Sequence, residues 1–378
     1  MGNAPVVTSM ELEQRLLRFT RDRLAAPEVA SSITADTRLF EDRVIDSLKV
    51  LELIAFVQSE IGRKIADAQI VLANFRSIAT IARVFTGGEV VAARRPARRG
   101  LLRPRANGSS PVAELFARGD LELTAEGGLV MRGAAASLCD YMDDIVRGWA
   151  LELGAMEKTF PPDIPVATLD RAGFTSAFPD KLVPGRSPAV CYNHYPSFSD
   201  TTLSTGGSIV TAIGRCYRNE YDAASDHPAE RLASFTMREI IAVGNDGLVE
   251  RLRTEVMDRV VQWIKDLALD GVIETATDPF FTNDTRGRML MQQMLPLKYE
   301  LRLRVADDGR SVAAASFNNH QQHFGRAFSI RLPSGEYAHS GCVAFGWERW
   351  VIAFINQHGA NEAGWPLAVE ARDGAATT

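Results

Sequence analysis

The 378 residues suffice for two or three domains, and 46% hydrophobic with 24% charged residues is ordinary for soluble globular protein. A net charge of -5 argues against bulk nucleic-acid binding but leaves room for a local basic patch. No apolar run approaches a membrane span, the N-terminus lacks an apolar signal core, and the 4 Cys form no CxxC, so a cytoplasmic protein without a disulfide framework is expected.

Met10 to Leu24 reads as an amphipathic helix, with Leu12, Leu16, Leu17 and Phe19 or Leu24 on its apolar side. After a loop with Pro27, Thr34 and Thr37, the segment FEDRVIDSLKVLELIAFVQSEIG predicts a helix. It starts near Ser47, carries Leu48, Leu51, Leu53, Ile54 and Val57, and ends at Gly62. A shorter helix near Phe75 to Phe85 completes an all-α unit of about 85 residues, enough for a modest core.

Asp46-Ser47-Leu48 at a helix start resembles the phosphopantetheine attachment site of acyl and peptidyl carrier proteins, and the resemblance covers Leu12 to Phe85. It implies a four-helix carrier domain over residues 1–86. Ser47 would receive 4'-phosphopantetheine from a phosphopantetheinyl transferase, and the arm's thiol would take the acyl group. A serine beside a helix N-terminus can hold a phosphodiester near backbone N–H groups. Asp-Ser before an apolar run is also an ordinary N-cap. Many carriers are strongly acidic, whereas this segment has about eleven residues of each sign.

Residues 87–111 lack apolar periodicity and are rich in Gly, Ala, Pro and Arg, including Arg94, Arg95, Arg98, Arg99, Arg103 and Arg105. A solvated flexible tether is the simpler reading, and an Arg run touching nucleic acid or phosphate the other. About 25 flexible residues span roughly 25–30 Å r.m.s., which lets a carrier visit a second domain of its own chain or of a dimer partner.

Residues 112–378 form the larger unit. Ala134 to Glu152 is a long helical pattern with Leu138, Met142, Ile145, Trp149 and Leu153 on one side, leading into FPPDIPVATLD. Ile213 to Tyr221 reads as a strand, Asp222 to Glu230 as a Pro-containing loop, and Leu232 to Val243 as a returning strand. On that long-looped hairpin Arg218 and Glu220 would share a face, as would Arg231, Phe235 and Glu239. An apolar core cannot accept that face unpaired. Arg suits phosphate and Phe offers a stacking plane, although an ordinary salt-bridged hairpin would use the same residues. Leu248 to Leu267 reads as a helix packed on the core, and Leu297 to Val305 as a strand.

The order RxE, loop, RxxxFxxxE resembles motif 2 of class II aminoacyl-tRNA synthetases, the seryl type in particular. The long helix followed by a Pro-bearing strand resembles motif 1, which implies a homodimer. Gly341 to Ile355, with Gly346, Glu348 and Arg349, resembles motif 3. The implied fold is an α+β core, an antiparallel sheet flanked by helices. Arg218 and Arg349, with Mg2+, would hold the ATP phosphates, Glu220 would read the adenine amino group, and Phe235 would stack on adenine. Arg231 joins the ATP site, and Ser316, Asn319 and Phe324 match the seryl-type turn before motif 3. Glu239 would sit at the amino-acid pocket. The acidic Mg2+ ligand expected before that turn is replaced by Val312 to Ala315. His320 and His323 have no role in the pattern.

Spacing alone says nothing about a metal at Cys191, Glu239 and Cys342. Atypical seryl-tRNA synthetases of methanogens and the related amino acid:carrier protein ligases, which this chain resembles, use Cys, Glu and Cys at those places. The resemblance implies zinc with a position open for the substrate amine. Cys139 and Cys216 match no ligand. With a carrier where a tRNA-gripping arm would stand, the implied activity is ATP-dependent activation of a small amino acid, glycine or alanine, and its transfer to a carrier thiol. No tRNA or membrane partner is expected. The alternatives are seryl-type tRNA aminoacylation and a degenerate synthetase paralogue with a binding role.

Overall fold

The structure, a computed structural model, describes residues 7–40, 42, 44–45, 49–66, 69–88, 110–222, 224–225, 227–276, 297–306 and 308–367. Ser47 and the Arg-rich stretch from Arg94 to Arg105 lie outside them. The described residues fall into two compact units, a smaller one of the residues up to 95 with 275 and 276, and a larger one of the rest.

The N-terminal unit is helical. Helix α1 (Ser9–Phe19) opens on a capping box: the Thr8 hydroxyl accepts from the Glu11 N–H, and the Thr8 N–H donates to the Glu11 carboxylate. It runs on as a π-helical turn to Leu24. Helices α2 (Pro27–Ala30), α3 (Lys49–Ile61), α4 (Leu72–Phe75) and α5 (Ile78–Phe85) follow. Val50, Leu53, Ile54 and Val57 line one face of α3 and meet Leu12, Leu16, Ile78 and Ile81 in one core. Gly62 ends α3 with φ +66, a conformation glycine adopts freely.

The larger unit begins with α6 (Pro111–Arg118), a small hairpin of β1 (Leu121–Leu123) and β2 (Leu129–Met131), and the long α7 (Gly133–Glu152). Its centre is a seven-stranded sheet in the order β3-β4-β5-β9-β8-β7-β6. The strands are β3 (Met156–Glu157), β4 (Ser208–Tyr217), β5 (Ser234–Gly244), β6 (Gly271–Thr275), β7 (Lys298–Arg304), β8 (Ser311–Gln321) and β9 (His339–Gly346). Between β3 and β4 lie the short helices α8 (Val166–Arg171), α9 (Phe174–Ala177) and α10 (Cys191–His194). Helix α11 (Asp246–Asp266) follows β5, α12 (His323–Ala327) follows β8, and α13 (Trp347–His358) follows β9 without a break.

β4 and β5 form the expected hairpin, antiparallel from Ser208↔Val243 to Tyr217↔Ser234. Its strands are shorter at the loop end than the alternation suggests. Arg218, Glu220 and Arg231 lie beyond the ladder, so pleating does not set their directions. The sheet is mixed, because β3 runs parallel to β4. The expected Pro-bearing strand after α7 is only β3, and the prolines follow it in a loop, where their missing N–H groups cost no ladder bonds.

The helices α7, α11 and α13 cover one sheet face. Ile240, Phe317, Val343 and Phe345 share a core with Met142, Val256, Trp350 and Phe354. No helix among the described residues is long and apolar enough to cross a membrane.

Candidate active site

Directly paired residues of adjacent strands share a face, so the ladder registers assign every side chain of the sheet. Glu239 pairs with Ala212 and Ala344, Cys342 with Ile241 and Asn318, Ser316 with Ala344 and Glu300, and Phe235 with Cys216. Phe235, Glu239, Cys342, Ser316, Asn318, Lys298 and Glu300 therefore stand on one face, opposite the helix-covered core. Asn319 stands on the other, where its amide nitrogen donates to Glu250 and Asp246 of α11. The sequence reading assigns Asn319 to the substrate; the register turns Asn319 to the helix-covered face and sets Asn318 beside Cys342 on this one.

Cys191, Glu239 and Cys342 come together although 48 and 103 residues separate them along the chain. One donor atom from each lies within 4.8 Å of the others, and all three residues are buried. Glu239 anchors the arrangement. Its Oε1 accepts from the Val190 N–H at 2.8 Å and its Oε2 from the Cys191 N–H at 3.3 Å, which ties the first turn of α10 to β5. Gly341 admits β9 to its place: a Cβ there would stand 2.5 Å from Val249 Cγ1 and 2.6 Å from the Asn318 carbonyl oxygen.

All three groups resist ionisation in this setting. Hydrogen bonding to Cys342 and burial hold the Cys191 thiol well above its ordinary value, and burial raises Glu239. Cys342 is pulled down by its bond with Cys191 but ends raised, through burial and the nearby Glu239 charge. Three ionisable donors packed in one dry space repel as anions and are all favoured as anions by a dication. Two sulfurs and a carboxylate also match the tetrahedral preference of zinc with one position left over. The residues fit that metal.

Aromatic rings close in on this cluster. Tyr195 stacks on Phe324 with centroids 4.1 Å apart, and both are fully buried. The Tyr195 hydroxyl lies 3.1 Å from His320 Nδ1, and His320 Nε2 lies 3.9 Å from Cys342 Sγ. Burial, with His323 nearby, pushes the His320 imidazole down to about 3, so it is neutral at ordinary pH. His323 donates from Nε2 to the Ala172 carbonyl at 2.8 Å. The two histidines thus bind the turn to its surroundings.

The phosphate-type residues gather at the loop end of the hairpin. Arg218 lies over the Phe235 ring, 5.1 Å from its centroid, and its Nε donates to the Pro188 carbonyl at 3.1 Å. Glu220 pairs with Lys181 at 2.7 Å. Burial pushes Glu220 up, but Arg218, Lys181 and Arg349 outweigh it and hold the carboxyl below its usual range. Arg349, in the first turn of α13, donates to the carbonyls of Glu230 and Ala313 at 3.1 and 3.0 Å. Burial and the charge of Arg218 lower its pKa, while Glu220 and Glu300 raise it and the exposed Arg231 lowers it further. These six charged groups share one electrostatic field.

Glu348 has a different task from its neighbour. It is buried and accepts the Thr236 N–H at 2.9 Å and the Arg215 guanidinium at 3.1 Å, so α13 clamps the start of β5. Sequence reasoning also missed Lys181, which sits 39 residues before its partner Glu220, and Asn318, whose direction only its register with Cys342 gives. All four cysteines are free, and burial pushes the Cys139 thiol up to about 12.

No protein-family model matches the chain. Amino acid–[acyl-carrier-protein] ligase 1 of Bradyrhizobium diazoefficiens is 31% identical over 252 residues, covering 58% of this chain and 76% of the relative. Ligase 2 of the same organism is 32% identical over 253 residues, covering 58% and 75%. The type-2 serine–tRNA ligase of Methanococcus maripaludis is 28% identical over 197 residues, but these are only 37% of its length. Among solved structures, M. kandleri SerRS in complex with A. aeolicus tRNASec superposes with a TM-score of 0.62 at 20% identity, covering 93% of this chain and 71% of that one. Pyrococcus horikoshii seryl-tRNA synthetase complexed with ATP gives 0.57 at 12%, covering 68% and 60%. The fold is therefore class II synthetase-like, and the extent of the first match decides the rest: the chain belongs to the amino acid–[acyl-carrier-protein] ligase family, a family of ligase enzymes.

Proposed function

We propose that this chain joins a small amino acid, glycine or alanine, to ATP as an aminoacyl-adenylate with release of pyrophosphate. It then passes the aminoacyl group to the phosphopantetheine thiol of a carrier protein, and the adenylate leaves as AMP. The carrier at hand is its own N-terminal unit, with Ser47 as the attachment point. The observation that carries this reading is the shared face: a Cys-Glu-Cys donor set for the amino end and an Arg218–Phe235 platform for the nucleotide stand on the same side of one sheet.

The chemistry asks for positioning and fixed charge more than for proton transfer. Arg218 and Arg349 bind the phosphates and stabilise charge on the leaving pyrophosphate. Phe235 stacks on adenine, with Arg231 and Glu220 at its rim. Zinc held by Cys191, Glu239 and Cys342 would act as a Lewis acid toward the neutral α-amine. Tyr195, Phe324 and His320 wall the space beside it, which supports a substrate with little or no side chain. Val312 to Ala315 offer no carboxylate for Mg2+, and no step is assigned to it. A homodimer through the edge at β3 belongs to the reading, since Met156 and Ile213 stand 64% and 40% exposed there.

The test is the intact mass of phosphopantetheinylated protein after incubation with ATP and each amino acid in turn. A gain for glycine or alanine, lost in Ser47→Ala and reversed by thiol, is the expected result. Gain in trans only, on a separate carrier, would remove the N-terminal unit from the role. Serylation of tRNA by the same protein would favour the type-2 serine–tRNA ligase relationship instead.

A further inference from the structure

Asn318 carries a buried oxygen that nothing among the described residues answers. Its Nδ2 donates to Ser316 Oγ at 3.0 Å and to Cys342 Sγ at 3.4 Å. Its Oδ1 is buried and has no hydrogen-bond partner among the described residues, and the residue as a whole is 6% exposed. A primary amide offers two N–H donors and one carbonyl acceptor, so both donors are spent here and the acceptor is idle. A metal-bound sulfur can only accept, which fixes the amide nitrogen toward Cys342 and turns the oxygen to the other arm of the fork. Buried acceptors are rarely left without a donor, and an exception calls for an explanation such as a bound water, ion or ligand.

We infer that Asn318 Oδ1 is a second recognition group for the substrate's amino end, accepting an N–H from the α-amine beside Cys342. This rests on the zinc and amino-acid reading above and names a residue for it. The amine suits the place because it alone of the substrate's groups must lie next to Cys342 and still has hydrogens to donate. A carboxylate has none, and an apolar side chain would leave the oxygen unpaired, which is how a buried acceptor discriminates. The anchoring bonds from Ser316 and Cys342 hold the amide so that the oxygen is preorganised.

The experiment compares wild-type protein with Asn318→Ala and, as a polar control for folding, Asn318→Ser. Zinc per chain is measured first. Calorimetric titration with glycine and alanine, and with acetate and propionate as amine-free probes, follows. Expected are equal zinc in all three proteins, amino-acid affinity weaker by about tenfold or more in the variants, and no difference between proteins for the amine-free acids. The ATP KM should stay within about twofold of wild type while the amino-acid KM rises. Wild-type amino-acid affinity in a zinc-replete variant overturns the inference alone. Loss of zinc in both variants also overturns it, making Asn318 a support for Cys342. A wild-type protein that holds no zinc overturns the metal reading itself.

Discussion

Arg238 and Glu239 are consecutive on β5 yet serve opposite faces of the sheet. Glu239 receives the N–H groups of Val190 and Cys191 on one side. On the other, Arg238 is only 2% exposed, binds both oxygens of Asp143 on α7 and reaches Glu157 on β3 at 3.4 Å. Trp347, at the start of α13, donates to the same Asp143 at 2.8 Å. Three segments of the unit are thereby tied directly behind Glu239.

Breaking that pair leaves a charge stranded in a dry place, which typically costs ~3–5 kcal/mol. Arg238→Ala is therefore expected to lower the denaturant midpoint sharply. Asp143→Asn, which keeps hydrogen bonding, is expected to cost less. Equilibrium urea unfolding of the two variants checks this, and equal small losses would show that the pair contributes little.

Cys342→Ala should reduce bound zinc strongly, and Gly341→Ala should do so indirectly. A Cβ at 341 is forced against the Asn318 carbonyl, so either β8 or α11 must give way. Overpacking of this kind costs about 1–3 kcal/mol, and here it also displaces the strand that carries Cys342. Zinc content by atomic absorption, read with melting temperature, separates the two: Cys342→Ala loses metal with little change in the metal-free fold, whereas Gly341→Ala loses both.

Arg349→Ala removes a guanidinium held between two backbone carbonyls within reach of Arg218 and Glu220. The ATP KM should rise about tenfold or more, while direct amino-acid binding changes little. ATP–pyrophosphate exchange across ATP concentrations measures it, and wild-type ATP dependence would take Arg349 out of the site.

His194 supplies a pH dependence. It is fully buried among Phe160, Tyr195 and Phe198, both ring nitrogens are without partners among the described residues, and burial with Lys158 nearby pushes it down to about 3. A base depressed on folding lends stability that is present above its unfolded value of about 6.5 and lost as pH falls toward its folded value. His194→Phe should remove up to about 1.4 kcal/mol per pH unit of that slope below pH 6.5. Urea unfolding at several pH values between 7.5 and 4.5 tests it; an unchanged slope would mean that His194 does not carry the acid sensitivity.

Much of the molecule was legible in the residues because its signals are local. The alternation around Arg215 and Met237, the 3.6 period of α7 and α11, and Gly346 between strand and helix each mark an element within a dozen residues. What failed depends on pairing between distant segments. Asn318 and Asn319 are interchangeable to a motif, and only the Asn318↔Cys342 register says which one faces the site. The link from Lys181 to Glu220 and that from Tyr195 through His320 to Cys342 have no signature at short range. The run FPPDIP misled because its flanking apolar residues look strand-like while its prolines cannot donate to a ladder.

The division of the sheet into a chemical face and a packed face has a consequence for how such a protein changes. Along β8 and β9 the two faces fall on alternate codons: 316, 318, 342 and 344 stand on the face of the candidate site, while 317, 319, 343 and 345 face the helices behind. A saturation scan scored separately for activity and for abundance should show two interleaved stripes of period two. Substrate preference can drift along one stripe while the fold is held by the other, whereas a single-residue deletion in either strand exchanges the stripes and loses both properties at once.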